Sequence, residues 1–176
     1  MKHKLFIPVL LTAFTLLLAG CGEKSSGAQG SAGSKSQATA SQQAAAPGFT
    51  GKDLAGAERT IQPGDGKVYV LNFWATWCPP CRAEFPEMDQ FAKAHKDRVA
   101  FYALNVQESG DKVQSFLQDN GYTLPVLLDR DGRAARLYSV RAIPTTVILD
   151  EKGHVLLRQE GMATARQLEE ALKGRL

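Results

Sequence analysis

Two cysteines in this chain are spaced for chemistry: Cys78 and Cys81, within Trp77-Cys78-Pro79-Pro80-Cys81. If a helix starts after Cys78, the thiols lie one turn apart and can close a disulfide without moving the backbone. Cys78 then takes the N-cap, where the positive end of the helix dipole favours a thiolate. Pro79 suits the first helical position, which needs no N–H partner. The pattern makes Cys78 the attacking nucleophile and Cys81 the thiol that resolves the mixed disulfide. Trp77 reads as an apolar wall for a substrate, with Pro79 and Pro80 beside it. Three other readings of C-x-x-C fit less well. Zinc needs a second pair of ligands, and the remaining cysteine, Cys21, is far away. A c-type haem needs histidine where Arg82 stands. A purely structural bridge is permitted in an exported protein, but closing so short a loop stabilises little.

The elements around the motif fit an α/β sheet. Val68–Trp74 is a β-branched and aromatic run, as expected of a strand covered on both faces. Pro79–His95 carries Cys81, Phe85, Met88 and Ala92 at helical spacing. A second strand is expected at Val99–Val106. A helix follows over Asp111–Asn120, with Val113, Phe116 and Leu117 inward and Gly121 as its C-cap. A short strand at Val126–Leu128 and a helical turn near Ala134–Tyr138 come next. Thr145–Leu149 and His154–Gln159 then form a hairpin, and a last helix begins at Thr164 with Leu168 and Leu172 on one face. These patterns predict one domain over residues 47–176, a central mixed sheet flanked by helices.

The stretch Phe73-Trp74-Ala75-Thr76-Trp77-Cys78-Pro79-Pro80-Cys81, continuing Arg82-Ala83-Glu84-Phe85-Pro86, resembles the TlpA/ResA-like branch of the thioredoxin superfamily. Arg141-Ala142-Ile143-Pro144-Thr145 resembles that family's second signature. The resemblance implies a thioredoxin-like fold and a protein-disulfide oxidoreductase needing no cofactor beyond the Cys78–Cys81 disulfide. It also implies a cis-proline at Pro144 facing the cysteines. Ile143 and Pro144 would then present backbone to a substrate chain, which pairs with it like a strand. Pro86 matches the family's helix kink. One position departs from many thioredoxins: Asn72 stands where a buried aspartate precedes the motif. An amide cannot take a proton at neutral pH, so Glu84 becomes the candidate proton shuttle for Cys81. It lies about 60° from Cys81 on the helical wheel, on the apolar side, and burial there raises a carboxyl pKa. ResA-like proteins give a glutamate at this spacing such a role. Glu108 falls near the rim in such folds and is assigned nothing.

Direction is argued from the prolines. Pro79 and Pro80 remove two N–H groups, leaving the Cys78 thiolate mainly the Cys81 and Arg82 amides. A less stabilised thiolate makes a less oxidising pair, which favours a reductase of exported proteins, with cytochrome c maturation among the tasks of such relatives. An oxidase or isomerase of the same fold is the alternative. A copper chaperone would need a downstream histidine, for which only His154 offers itself. A peroxidase would need P-x-x-x-T-x-x-C, a spacing absent around Cys78. The reductase reading implies exported disulfide substrates and a membrane protein as electron donor.

Cys21 has a different task. Charged Met1–Lys4, apolar Leu5–Leu18 and the small Ala19 and Gly20 read as a signal peptide over residues 1–20. Leu18-Ala19-Gly20-Cys21 resembles the lipobox of bacterial lipoproteins, which predicts lipidation of Cys21 and attachment to a membrane on its extracytoplasmic side. Gly22 resembles outer-membrane sorting in Gram-negative bacteria. Residues 21–46 hold the lipidated cysteine and a Gly/Ser/Ala/Gln linker of 25 residues, with a reach of roughly 25–30 Å. Composition is that of a globular chain, 44% hydrophobic and 22% charged. Setting aside Lys2 and Lys4 leaves 19 basic against 18 acidic side chains, so nothing points to nucleic acid.

Overall fold

Every residue of Val68–Trp74 is buried, because this strand lies inside the sheet with helices or loops over both faces. The computed structural model describes residues 44–176. The signal peptide, Cys21 and nearly all of the linker lie outside them. In chain order the elements are β1 (Phe49–Asp53), β2 (Glu58–Ile61), β3 (Val68–Trp74), α1 (Pro79–Ala94), β4 (Val99–Val106), α2 (Gly110–Asn120), β5 (Val126–Asp129), α3 (Arg133–Leu137), β6 (Thr145–Leu149), β7 (Val155–Glu160) and α4 (Ala165–Ala171). The sheet has the order β2-β1-β5-β4-β3-β6-β7. β3 runs parallel to β4, and β4 to β5. The other pairings are antiparallel, so the sheet is mixed, as expected.

Odd and even positions of β3 serve two cores. Val70 and Trp74 face α1, α2 and α4, meeting Phe85, Met88, Val113, Leu117, Leu168 and Leu172. Tyr69, Leu71 and Phe73 face Ala134, Ala135 and Tyr138 of the α3 region. Trp74 and Phe85 pack with ring centroids 4.2 Å apart and planes tilted by 46°; burying either ring is worth roughly 1.5–3 kcal/mol before packing is counted. Phe116 is only half-buried, at the edge of this cluster, where its ring takes the Arg82 guanidinium at 5.8 Å.

The hairpin of β1 and β2 has no counterpart in the sequence reading. Its burial is intermediate or exposed except at Ile61, so it lacks the apolar alternation by which a strand is recognised. Gly121 does end α2 in the left-handed region, at φ 70°. Thr164 caps α4 through a capping box with Gln167.

Two features orient the molecule. β3 runs toward Cys78, and β6, antiparallel to it, starts beside Pro144 and ends at the Asp150–Gly153 turn. The Ala46 N–H donates to the Gly153 carbonyl at 2.8 Å. The chain therefore enters the domain at the end of the sheet opposite the cysteines.

Candidate active site

β3 ends at Trp74, and the Cys78 N–H bonds back to the Ala75 carbonyl at 3.2 Å, which folds residues 75–78 into a turn leading to α1. Cys78 has extended backbone at the N-cap (φ −89°, ψ 109°), with Pro79 and Pro80 at the first two helical positions. Cys78 and Cys81 form a disulfide with Cα atoms 5.3 Å apart, inside the ordinary range. Cys78 Sγ receives the Cys81 N–H at 3.3 Å. The Arg82 N–H goes instead to the Cys78 carbonyl, at 3.1 Å. This corrects the expectation that two amides serve the sulfur: the Arg82 amide is already spent on the first helical bond.

The peptide bond between Ile143 and Pro144 is cis, and the Ile143 carbonyl oxygen lies 3.7 Å from Cys78 Sγ. Pro144 is buried, Ile143 half-buried, and Pro79 and Pro80 exposed. Trp77 is 63% exposed, which is far more than packing alone would leave so large a ring. These side chains surround the nearly buried Cys78 (3% exposed) and the fully buried Cys81.

Behind the disulfide, Glu84 is 2% exposed. It lies one helical turn beyond Cys81, a separation that puts side chains about 5–6 Å apart. Its Oε1 accepts from Asn72 Nδ2 at 2.8 Å, and its Oε2 from the Ala163 N–H at 2.8 Å. Burial pushes the Glu84 pKa above its ordinary value; the Ala163 amide and Asn72 offset this in part, and the Glu87 charge adds to it. Asn72 also donates to Thr146 Oγ1 at 3.0 Å, across the β3–β6 pairing. The residue in the aspartate's place thus holds the buried Glu84 carboxylate by a hydrogen bond.

A second carboxylate, to which sequence reasoning gave no role, sits on the other side of the turn. Glu108 is buried after β4 and accepts the Thr76 N–H at 2.7 Å and the Thr76 hydroxyl at 2.6 Å. Asn105 Nδ2 donates to it at 2.8 Å and Lys112 Nζ pairs with it at 2.7 Å. Burial alone would raise its pKa, but the bonds from Lys112, Thr76 and Asn105 outweigh that and hold it below the ordinary value. The two glutamates are therefore driven apart, the pattern that separates a proton carrier from a fixed charge. Only the i, i+4 spacing to Lys112 could have signalled Glu108 in advance.

Segment 161–163 also belongs to the site without a sequence signal. The Gly161 N–H bonds the Pro144 carbonyl at 2.8 Å, and the Ala163 N–H bonds Glu84, leaving Met162 between them 48% exposed. A groove of about 700 Å³, lined by residues such as Lys96, Phe101 and Leu124, lies toward the opposite end of β4.

Known proteins agree with this arrangement. The chain matches the AhpC/TSA family over residues 43–158. It is 40% identical to the thioredoxin-like protein YneN of Bacillus subtilis over 130 residues, covering 72% of this chain and 76% of that protein. It is 36% identical to the thiol-disulfide oxidoreductase ResA of Bacillus cereus over 129 residues, covering 73% and 75% of the two chains. The crystal structure of StoA from Bacillus subtilis superposes with a TM-score of 0.64 at 34% identity, covering 72% of this chain and 96% of that one.

Proposed function

The chain belongs to the AhpC/TSA family, as a thioredoxin-fold thiol–disulfide oxidoreductase of ResA type, and from that premise we propose that it works as a reductase of exported proteins, tethered to a membrane by a lipid on Cys21. In the cycle, the Cys78 thiolate attacks a substrate disulfide. The Cys78–substrate bond forms as the substrate S–S bond breaks, and one substrate sulfur leaves as thiolate. Cys81 passes its proton to Glu84 and attacks Cys78 Sγ, which releases the second substrate thiolate and closes the Cys78–Cys81 disulfide. Two electrons have moved to the substrate, and an outside dithiol, carried by a membrane donor, must restore them.

The observation that carries the reductase direction is the poverty of donors at Cys78. Its sulfur has the Cys81 N–H at 3.3 Å, while Pro79 and Pro80 supply no N–H at all. A thiolate stabilised so sparingly belongs to a pair that gives electrons more readily than it takes them. The Ile143 backbone beside Cys78 suits an extended substrate segment, such as the cysteine-bearing stretch of an apocytochrome c awaiting haem. Reducing such a stretch is the finer task we assign.

The tether reading rests on the lipobox-like sequence before Cys21 and on where the chain joins the domain. Ala46 is fixed at the sheet end away from the disulfide, and a flexible linker from that point would leave the domain free to rotate. Among the described residues no three His, Cys, Asp or Glu side chains gather as a metal set. His154 lies 3.4 Å from Asp150 in the distant hairpin turn.

Two experiments test the proposal. A Cys81→Ser variant expressed in the native compartment should trap exported cysteine proteins on Cys78; recovery of cytoplasmic proteins alone would overturn the assignment. Labelling with a radioactive fatty acid should mark the protein, and label that persists in Cys21→Ser would remove the tether.

A further inference from the structure

Glu108 is a heavily bonded carboxylate at the turn that leads to Cys78, and the exchange cycle does not use it. Its side chain is 3% exposed. Oε2 accepts the Thr76 N–H (2.7 Å) and Asn105 Nδ2 (2.8 Å), while Oε1 accepts the Thr76 hydroxyl (2.6 Å) and faces Lys112 Nζ (2.7 Å). One carboxylate thus takes both the main-chain and the side-chain donor of Thr76. Thr76 lies two residues before Cys78, where β3 has ended and α1 has not begun.

The backbone is arranged to deliver this carboxylate. Gln107 sits in the left-handed region at φ 60°, a conformation that disfavours a residue with a Cβ. Its N–H is pinned to the Asp129 carbonyl at 3.0 Å. Strain of this kind persists where surrounding structure enforces it, and it gathers at functional sites. Here it turns the chain out of β4 so that Glu108 points back at the turn ahead of Cys78. Lys112, four residues on, pairs with the carboxylate at 2.7 Å and balances its charge.

We propose that Glu108 is a positioning residue for thiol–disulfide exchange, fixing residues 75–77 through Thr76 so that Cys78 Sγ stays between the Cys81 N–H and the Ile143 carbonyl. The inference rests on Cys78 being the attacking thiol. Loosening Thr76 lets the sulfur drift from the Cys81 amide, which stabilises its thiolate less and misaligns the attack. Bonds to a charged acceptor are the stronger kind, and small misplacements of a nucleophile are expensive in rate.

The test uses the protein with Thr76→Val, which keeps the branched shape and removes the hydroxyl, alongside Thr76→Ser and Glu108→Gln. In the reduced protein, Cys78 alkylation by iodoacetamide is followed against pH, and kcat and KM are measured for reduction of insulin disulfides. Thr76→Val should move the alkylation midpoint upward by about half a pH unit and lower kcat about tenfold, with KM held within about twofold. Thr76→Ser should recover most of both losses. Glu108→Gln should lower kcat like Thr76→Val, because its amide would meet the Asn105 and Lys112 donors. A Thr76→Val protein with the wild-type midpoint and kcat overturns the proposal, whatever its melting temperature. The alkylation profile needs no disulfide substrate, so it judges Glu108 even if the reductase direction fails. Exchange that survives Cys78→Ser would instead sink the reading on which the inference stands.

Discussion

Replacing Glu84 by glutamine removes an ionisable proton from the interior, and the consequence has a definite pH dependence. Glu84 is 2% exposed, and burial holds its pKa above the ordinary 4.5. The folded state therefore keeps a proton that the unfolded state has released. Stability falls as pH rises from about 4.5 through the folded pKa, with a slope of up to about 1.4 kcal/mol per pH unit inside that window. Glu84→Gln has no such slope. At low pH the glutamine should be the less stable. Its carbonyl can accept from Asn72 or from the Ala163 N–H, at the 2.8 Å sites, but its amide cannot accept the other donor. A buried donor left unpaired costs about 1–3 kcal/mol. The deficit should shrink as pH climbs, because only the wild type then pays for a buried charge. Urea unfolding of both oxidised proteins from pH 4 to pH 8 measures the difference, and subtraction cancels groups common to both. The same variant should slow resolution of the mixed disulfide by Cys81, since general acid–base help is worth about a hundredfold or more. Parallel stability curves across the whole range, with an unchanged resolution rate, would refute the assignment of Glu84 as proton carrier.

Asn72→Asp places a second carboxyl 2.8 Å from Glu84 Oε1. Two charges that close repel by about 6 kcal/mol at an effective dielectric of about 20, so the pair should share one proton and its apparent pKa, read by infrared carboxyl bands, should rise well above that of Glu84 alone. Trp77→Ala, at a ring 63% exposed, should raise KM for polypeptide disulfides about tenfold while shifting urea stability by no more than about 0.5 kcal/mol. Gln107→Gly should relieve the left-handed backbone at φ 60° and stabilise the fold by up to about 1 kcal/mol, seen in the urea midpoint. Lys112→Met leaves Glu108, whose pKa Lys112 helps to lower, a weaker acid. It should reduce stability most above the ordinary carboxylate pKa and progressively less as pH falls through it.

The placement of the site residues was legible in the sequence wherever local spacing dictates it. Cys78 at an N-cap, two prolines behind it and Glu84 one turn past Cys81 are all properties of a single helix, and a 3.6-residue period suffices to read them. The strands with continuous apolar runs, Val68–Trp74 and Thr145–Leu149, were equally plain. What escaped depends on pairings between distant residues. β2 is a polar edge strand and β1 lies between it and β5; their pairing, Phe49 with Ile61, leaves no apolar pattern. Glu108 meets Thr76 across 32 positions of sequence, and Ala163 meets Glu84 across 79. Nothing in the residue types announces such contacts. The Arg82 amide was misassigned for the opposite reason, since the ordinary helical bond to the Cys78 carbonyl claimed it first.

We propose that the Cys78–Cys81 pair gives electrons because its nucleophile has few donors to lean on. Equilibrating the protein against glutathione and against thioredoxin, and reading the fraction of free thiol, gives the reduction potential directly. The potential should lie toward the thioredoxin end, about −270 mV, and in any case below roughly −200 mV. A value near −120 mV, that of a strong oxidant, would contradict it.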